Sequence, residues 1–101
     1  MELDQLTPEH FEPLVGERFA VAAGADGAVA GELALVLTAV ERLPPHGHRA
    51  APFSLAFRGG RTPVLPQQIH RLEHPRLGRL EVFLVPIRGD ASGIVYEAIF
   101  N

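Results

Sequence analysis

The chain contains no cysteine. Disulfides, thiolate metal sites and thiol nucleophiles are therefore excluded, and nothing marks a redox compartment. Tryptophan and lysine are also missing, so all nine basic residues are arginine. Without lysine, and without a helix after it, the segment Gly59-Gly60-Arg61-Thr62 is not a P-loop. Serine is confined to Ser54 and Ser92, and neither lies in a Gly-x-Ser-x-Gly elbow. Ser54, between Phe53 and Leu55, reads as an outward strand residue. Long apolar runs are absent: the longest, Leu33 to Val40, is broken by Thr38 and falls well short of the roughly 20 residues that span a bilayer. The opening MELDQLTPEH has no basic n-region and no apolar h-region. The expectation is a cytoplasmic protein with no secretory signal and no membrane contact.

What is present fits one globular domain over residues 1–101. The hydrophobic fraction of 47% is enough to bury a core, and the charged fraction of 21% is ordinary. A net charge of −3 gives no electrostatic footprint for nucleic acid.

The pattern along the chain is mainly β. Thr7-Pro8 reads as a helix start, and Pro13 with Gly16 stops it, predicting a short helix over about residues 7–15 with Leu6, Phe11 and Leu14 turned inward. Period two then takes over. Phe19 and Val21 mark a first strand, and Asp26-Gly27 marks a hairpin turn. Leu33 to Leu43 forms a second strand, apolar on both sides; its length and alanine content also fit a helix, but Val, Thr and the preceding turn favour a strand. RLPPHGHRAAP is a loop. Phe53, Leu55 and Phe57 alternate cleanly in a third strand. In a fourth, Gln67 to His74, the residues His70, Leu72 and His74 share one face, with Ile69, Arg71 and Glu73 on the other. Leu80, Val82 and Leu84 define a fifth strand ended by Pro86. After the loop RGDASG, Ile94, Tyr96, Ala98 and Phe100 define a sixth. The prediction is a single six-stranded antiparallel meander, closed as a small barrel or a sandwich, with a short N-terminal helix.

Chemistry has little raw material. His46-Gly47-His48 sits in a loop with metal-ligating potential, but His70 and His74 are roughly 13 Å apart along a straight strand, too far to share an ion. His70 reads as a half-buried strand residue and His74 as a turn residue before proline. Glu73, Glu81 and Glu97 alternate with Arg58, Arg71 and Arg79 and read as cross-strand ion pairs on a solvated face. Arg88-Gly89-Asp90 matches an adhesion tripeptide, yet Gly and Asp are what a turn requires. No catalytic, cofactor-binding or metal residues are assigned. One feature exceeds the needs of a single core: Val36, Val40, Phe83, Val85, Val95 and Ile99 lie on the faces opposite the main apolar set. They are covered by the helix or a loop, or they form a partner surface.

The segments FSLAFRGG, LPQQIHRLEHPRLGRLEVFLVPI and YEAIFN resemble a family of small uncharacterised bacterial β domains with the pattern FSL-FRG, LPQ--Y-LEHP-LG, LFLVP and YEA-FN. The match covers Phe53 to Asn101, and LTPEHFEPLVGERF fits the family's opening. The family is often encoded beside phage-tail-collar-like fibre proteins, so the resemblance implies a structural or assembly role. It carries no catalytic residues to transfer, and it places an aromatic where this chain has His70, which implies a packing position there. It further implies that Phe53, Leu55, Leu72, Leu84 and Tyr96 fill the core, that Gly59 ends a strand, that Gly78 permits a turn, and that Glu73 and Arg58 are paired or mark a contact surface.

The expected function is a non-enzymatic binding or assembly module. It presents an edge strand or an apolar face to a protein partner, such as a tail-collar-like fibre protein, or to another copy of itself in a homo-oligomer. The alternatives are a small-molecule-binding barrel and a small enzyme, for which Tyr96, His70 and Glu73 are the first residues to test.

Overall fold

Alternation of large apolar with polar residues is the property that closes this chain on itself. The computed structural model describes residues 6–23, 28–44, 52–61 and 64–100. A helix α1 (Pro8–Phe11) continues into a 3₁₀ turn (Glu12–Leu14). Six strands follow: β1 (Arg18–Ala23), β2 (Ala28–Arg42), β3 (Phe53–Gly59), β4 (Gln68–His74), β5 (Gly78–Asp90) and β6 (Gly93–Phe100). Every pairing is antiparallel, and the order β1-β2-β3-β6-β5-β4 closes where β4 meets β1.

Of the two expected closures the barrel is the form adopted, but it is not one continuous meander: β3 pairs with β6 and not with β4, so two three-stranded meanders, β1–β3 and β4–β6, are joined. The chain crosses one end of the barrel between them, and β3 pairs with β6 in an unbroken register from Phe53↔Phe100 to Gly59↔Ile94. The stretch between β3 and β4 contains Pro63 and Pro66, which cannot supply the N–H groups of a tight hairpin return.

The inner face carries Phe19, Val21, Leu35, Leu37, Phe53, Leu55, Phe57, Leu72, Leu80, Val82, Leu84, Tyr96, Ala98 and Phe100, all buried. This set includes every core position that the resemblance implied. Large-on-large contacts fill the space, as in the edge-on packing of Phe19 against Phe57 with ring centroids 5.3 Å apart.

Each end of the barrel is capped. At one end Leu6, Phe11 and Leu14 are buried, as the sequence predicts. Phe11 lies 5.8 Å from the ring of Phe53 and 6.0 Å from that of Phe100, and those two rings stack at 4.6 Å. His10 fills the third helical position, where Glu or Gln usually completes a capping box, and its Nδ1 accepts the Thr7 N–H at 3.0 Å. Arg42, at the end of β2, holds the helix from outside through Glu9 and Glu12, each at 3.1 Å. At the opposite end the β3–β4 connection tucks Leu65 inward. Its N–H donates to the Tyr96 hydroxyl at 2.9 Å, and His70 Nε2–H donates to the Pro66 carbonyl at 2.7 Å.

Expectations about single residues change as well. Pro86 does not end β5: the strand runs on to Asp90 because a bulge between Pro86 and Arg88 absorbs the missing N–H. His74 is not a turn residue. It closes β4 on the inner face and is 5% exposed. The segment Leu33–Leu43 is a strand, not a helix, with β2 running from Ala28 to Arg42. The Asp26-Gly27 turn lies outside the described residues. No helix among the described residues is long and apolar enough to cross a membrane.

Candidate functional site

The residues best suited to catalysis are occupied elsewhere or held apart. His70 and Tyr96 secure the β3–β4 connection, as described above. Glu73 lies on the outer face of β4, opposite His70, so the three do not converge. In His74, Nδ1 accepts the Arg76 N–H at 3.0 Å, which leaves the proton on Nε2; that N–H donates to Glu17 Oε1 at 2.7 Å. Among the described residues no group of three or more His, Asp or Glu gathers as a metal site. His46 and His48 lie outside the described residues.

The adhesion-like tripeptide is part of a hairpin. Arg88 and Gly89 belong to β5, and the expected RGDASG loop is reduced to Ala91-Ser92. The Asp90 carboxylate is already engaged. Its Oδ1 accepts from the Ser92 hydroxyl at 2.6 Å, the Ser92 N–H at 2.8 Å and Arg58 at 3.2 Å. Arg58 also bonds the Ser92 hydroxyl. These bonds, those from Ser92 foremost, pull the Asp90 carboxyl down to about 2. Arg58 and Glu73 are thus not paired with each other; Glu73 faces Arg79 at 4.0 Å.

The outer wall is the remaining surface with an unusual composition. Of the six apolar residues singled out from sequence, Val95 is only 3% exposed, in register with Arg58 on β3 and Arg88 on β5. Val40 packs against the core, and Val36 and Val85 are half-buried. Phe83 and Ile99 are open to solvent, at 49% and 54% exposure. The structure adds Ile69, at 62% the most exposed large apolar residue among the described ones, directly opposite Phe83 across the β4–β5 ladder. Ile99 follows Glu97, the partner of Val85, and so lies on the next strand on the Phe83 side of that pair. Sequence reasoning placed Ile69 on the outer face of its strand but left it out of the apolar set, because only the strand register sets it beside Phe83.

Below the Ile69–Phe83 pair the same wall carries Arg71 opposite Glu81, then Glu73 opposite Arg79. Among the described residues Arg71 and Glu81 form no ion pair, and the Arg71 Nε–H is buried without an acceptor. The exposed apolar residues thus lie on a wall and not at a sheet edge, because β1 and β4 pair to complete the ring.

A family model described as a domain of unknown function, DUF6916, matches residues 6–100. Neither the curated proteins nor the solved structures yield a match to the chain.

Proposed function

The chain belongs to the DUF6916 family, and from that premise we propose that it is a non-enzymatic binding module that docks another protein on the outer wall of β4, β5 and β6. One observation carries this reading. Ile69, Phe83 and Ile99 stand open on three neighbouring strands, while the interior is filled by its own side chains and both barrel ends are capped. Exposed large apolar residues grouped on adjacent strands are a hallmark of contact surfaces. The surrounding Arg71, Glu81 and Arg79 supply the polar rim such a surface needs. The polar side chains inside the barrel support the same reading, since His70, His74 and Tyr96 serve as structural ties.

The resemblance of FSLAFRGG and LPQQIHRLEHPRLGRLEVFLVPI to bacterial domains encoded beside tail-collar-like fibre proteins suggests such a fibre as the partner. Co-expression with a tail-collar-like fibre protein tests this. The wild-type chain is expected to co-purify with it, and Phe83→Glu, which changes an exposed side chain, is expected to lose the partner while keeping its fold. Equal recovery of the fibre with both chains would remove the outer wall from the reading.

A further inference from the structure

We infer that the β4–β5 wall also pairs with the same wall of a second copy of this chain, about a two-fold axis running parallel to the two strands and between them. This rests on the reading of that wall as a contact surface, and it commits the wall to a defined geometry.

The argument is one of register. The outer residues of the hairpin form three rows, Ile69↔Phe83, Arg71↔Glu81 and Glu73↔Arg79. Rotation by half a turn about the stated axis keeps each residue at its height and exchanges β4 for β5. Every outer residue of one copy then faces its own cross-strand partner in the other. Ile69 meets Phe83, Arg71 meets Glu81, and Glu73 meets Arg79, each twice by symmetry. Apolar faces apolar and each charge faces its opposite in every row. A two-fold that runs across the strands over the central row instead sets Arg71 on Arg71 and Glu81 on Glu81, which like-charge repulsion disfavours. Strands within each wall stay nearly aligned with those of the facing wall, the commonest arrangement for packed sheets.

A second observation agrees. Arg71 and Glu81 stand directly opposite on adjacent strands, where an ion pair within one chain would be expected, yet no such pair forms among the described residues. Their charges are free to be matched from outside. The wall is small, so the dimer it makes is a weak and concentration-dependent one.

Sedimentation velocity over a concentration series, with Arg71→Glu and Glu81→Arg, tests the inference. Arg71→Glu makes both residues of the central row acidic, and Glu81→Arg makes both basic. Each variant alone sets like charges against each other and is expected to dimerise at least about tenfold more weakly than wild type. An equimolar mixture of the two faces an all-acidic row with an all-basic one and is expected to recover wild-type association as a heterodimer. A gain on mixing cannot arise from a change in either chain's stability. Far-UV circular dichroism of each variant checks its fold, and Ile69→Asp, at the most exposed apolar position, provides an independent loss of association. A wild-type chain that stays monomeric throughout overturns the inference, as does a mixture that behaves as the sum of its parts. If it is overturned while Phe83→Glu still loses the fibre protein, the wall remains a docking surface for a different partner. If Phe83→Glu also keeps the fibre, the docking reading falls as well.

Discussion

The imidazole of His74 donates from Nε2 to Oε1 of Glu17 at 2.7 Å, joining the segment that enters β1 to the last residue of β4. This bond lies at the shortest seam of the barrel, where β1 and β4 share only Ala20↔Glu73 and Val21↔Leu72. The His74 ring also packs 4.8 Å from that of Phe19, so it seals the seam on its inner side. His74→Ala is expected to cost about 3 kcal/mol, because it opens a cavity at a buried ring and removes the acceptor of the Arg76 N–H. Glu17→Ala is expected to cost about 1–2 kcal/mol, since it orphans a buried donor but removes a half-exposed carboxylate. Urea unfolding gives both values, and amide exchange should quicken first along β1 and β4. An unchanged unfolding free energy for His74→Ala would mean that the seam holds without this bond.

The hairpin between β5 and β6 has a defined response to acid. The Ser92 hydroxyl and N–H, then the Arg58 charge, lower the Asp90 carboxyl to about 2 from an ordinary 3.8. The folded carboxyl therefore binds its proton less tightly than the unfolded one. Its stabilising contribution is complete above about pH 3.8 and is lost as the pH falls through about 2. Ser92→Ala removes the largest cause and is expected to return the midpoint toward 3.8, read from the Asp90 carboxyl carbon by NMR. A midpoint that stays near 2 in that variant would assign the shift to the residue-92 backbone N–H and Arg58 instead of the hydroxyl.

Two glycines with positive φ should respond differently to alanine. Gly78 follows the Pro75–Leu77 turn at φ 74°, and a Cβ there meets nothing within 4 Å. Gly78→Ala therefore pays only backbone strain, about 1–2 kcal/mol. Gly93 opens β6 at φ 137°, and its Cβ would stand 2.0 Å from the Gly59 carbonyl oxygen. That contact is with the backbone of the neighbouring strand β3, so nothing flexible can yield. Gly93→Ala is expected to exceed 4 kcal/mol and to separate β6 from β3 where the two strands meet. Paired thermal and urea unfolding of the two variants measures the contrast, and equal costs would contradict it.

Much of this architecture was legible because period-two alternation depends only on local sequence. Phe53, Leu55 and Phe57, or Leu80, Val82 and Leu84, declare which side is inside without reference to any partner. The pairing of β3 with β6 was not legible, because it depends on how the β3–β4 connection crosses the barrel, and residues distant in the chain decide that. The same limit hid Ile69: its own neighbours, His70 and Gln68, reveal its face but not that Phe83 lies beside it. His74 departs from its local pattern for a related reason. The proline after it suggests a turn, while the partner that holds it inside, Glu17, is 57 residues away. Pro86 marks a break only if the strand cannot bulge, and a bulge leaves no mark in the local pattern.

The Tyr96 hydroxyl offers the sharpest separation of structural from chemical roles inside the barrel. It is the acceptor for the Leu65 N–H, and both residues are buried, so no water replaces it when it is removed. Tyr96→Phe keeps the ring in place and deletes only the oxygen. The cost is then that of an unsatisfied buried N–H, about 1–3 kcal/mol, with little cavity contribution. His70→Phe removes the donor to the Pro66 carbonyl, but Pro66 is exposed and its carbonyl can turn to solvent. That variant is expected to lose about 1 kcal/mol or less. Together the two variants should loosen the β3–β4 connection by more than either alone, because each bond holds the same short segment. Chemical unfolding supplies the energies, and amide exchange at Leu65 reports the connection directly. If Tyr96→Phe were as stable as wild type with Leu65 still protected, the hydroxyl would not be holding the crossover, and its burial would call for a chemical explanation.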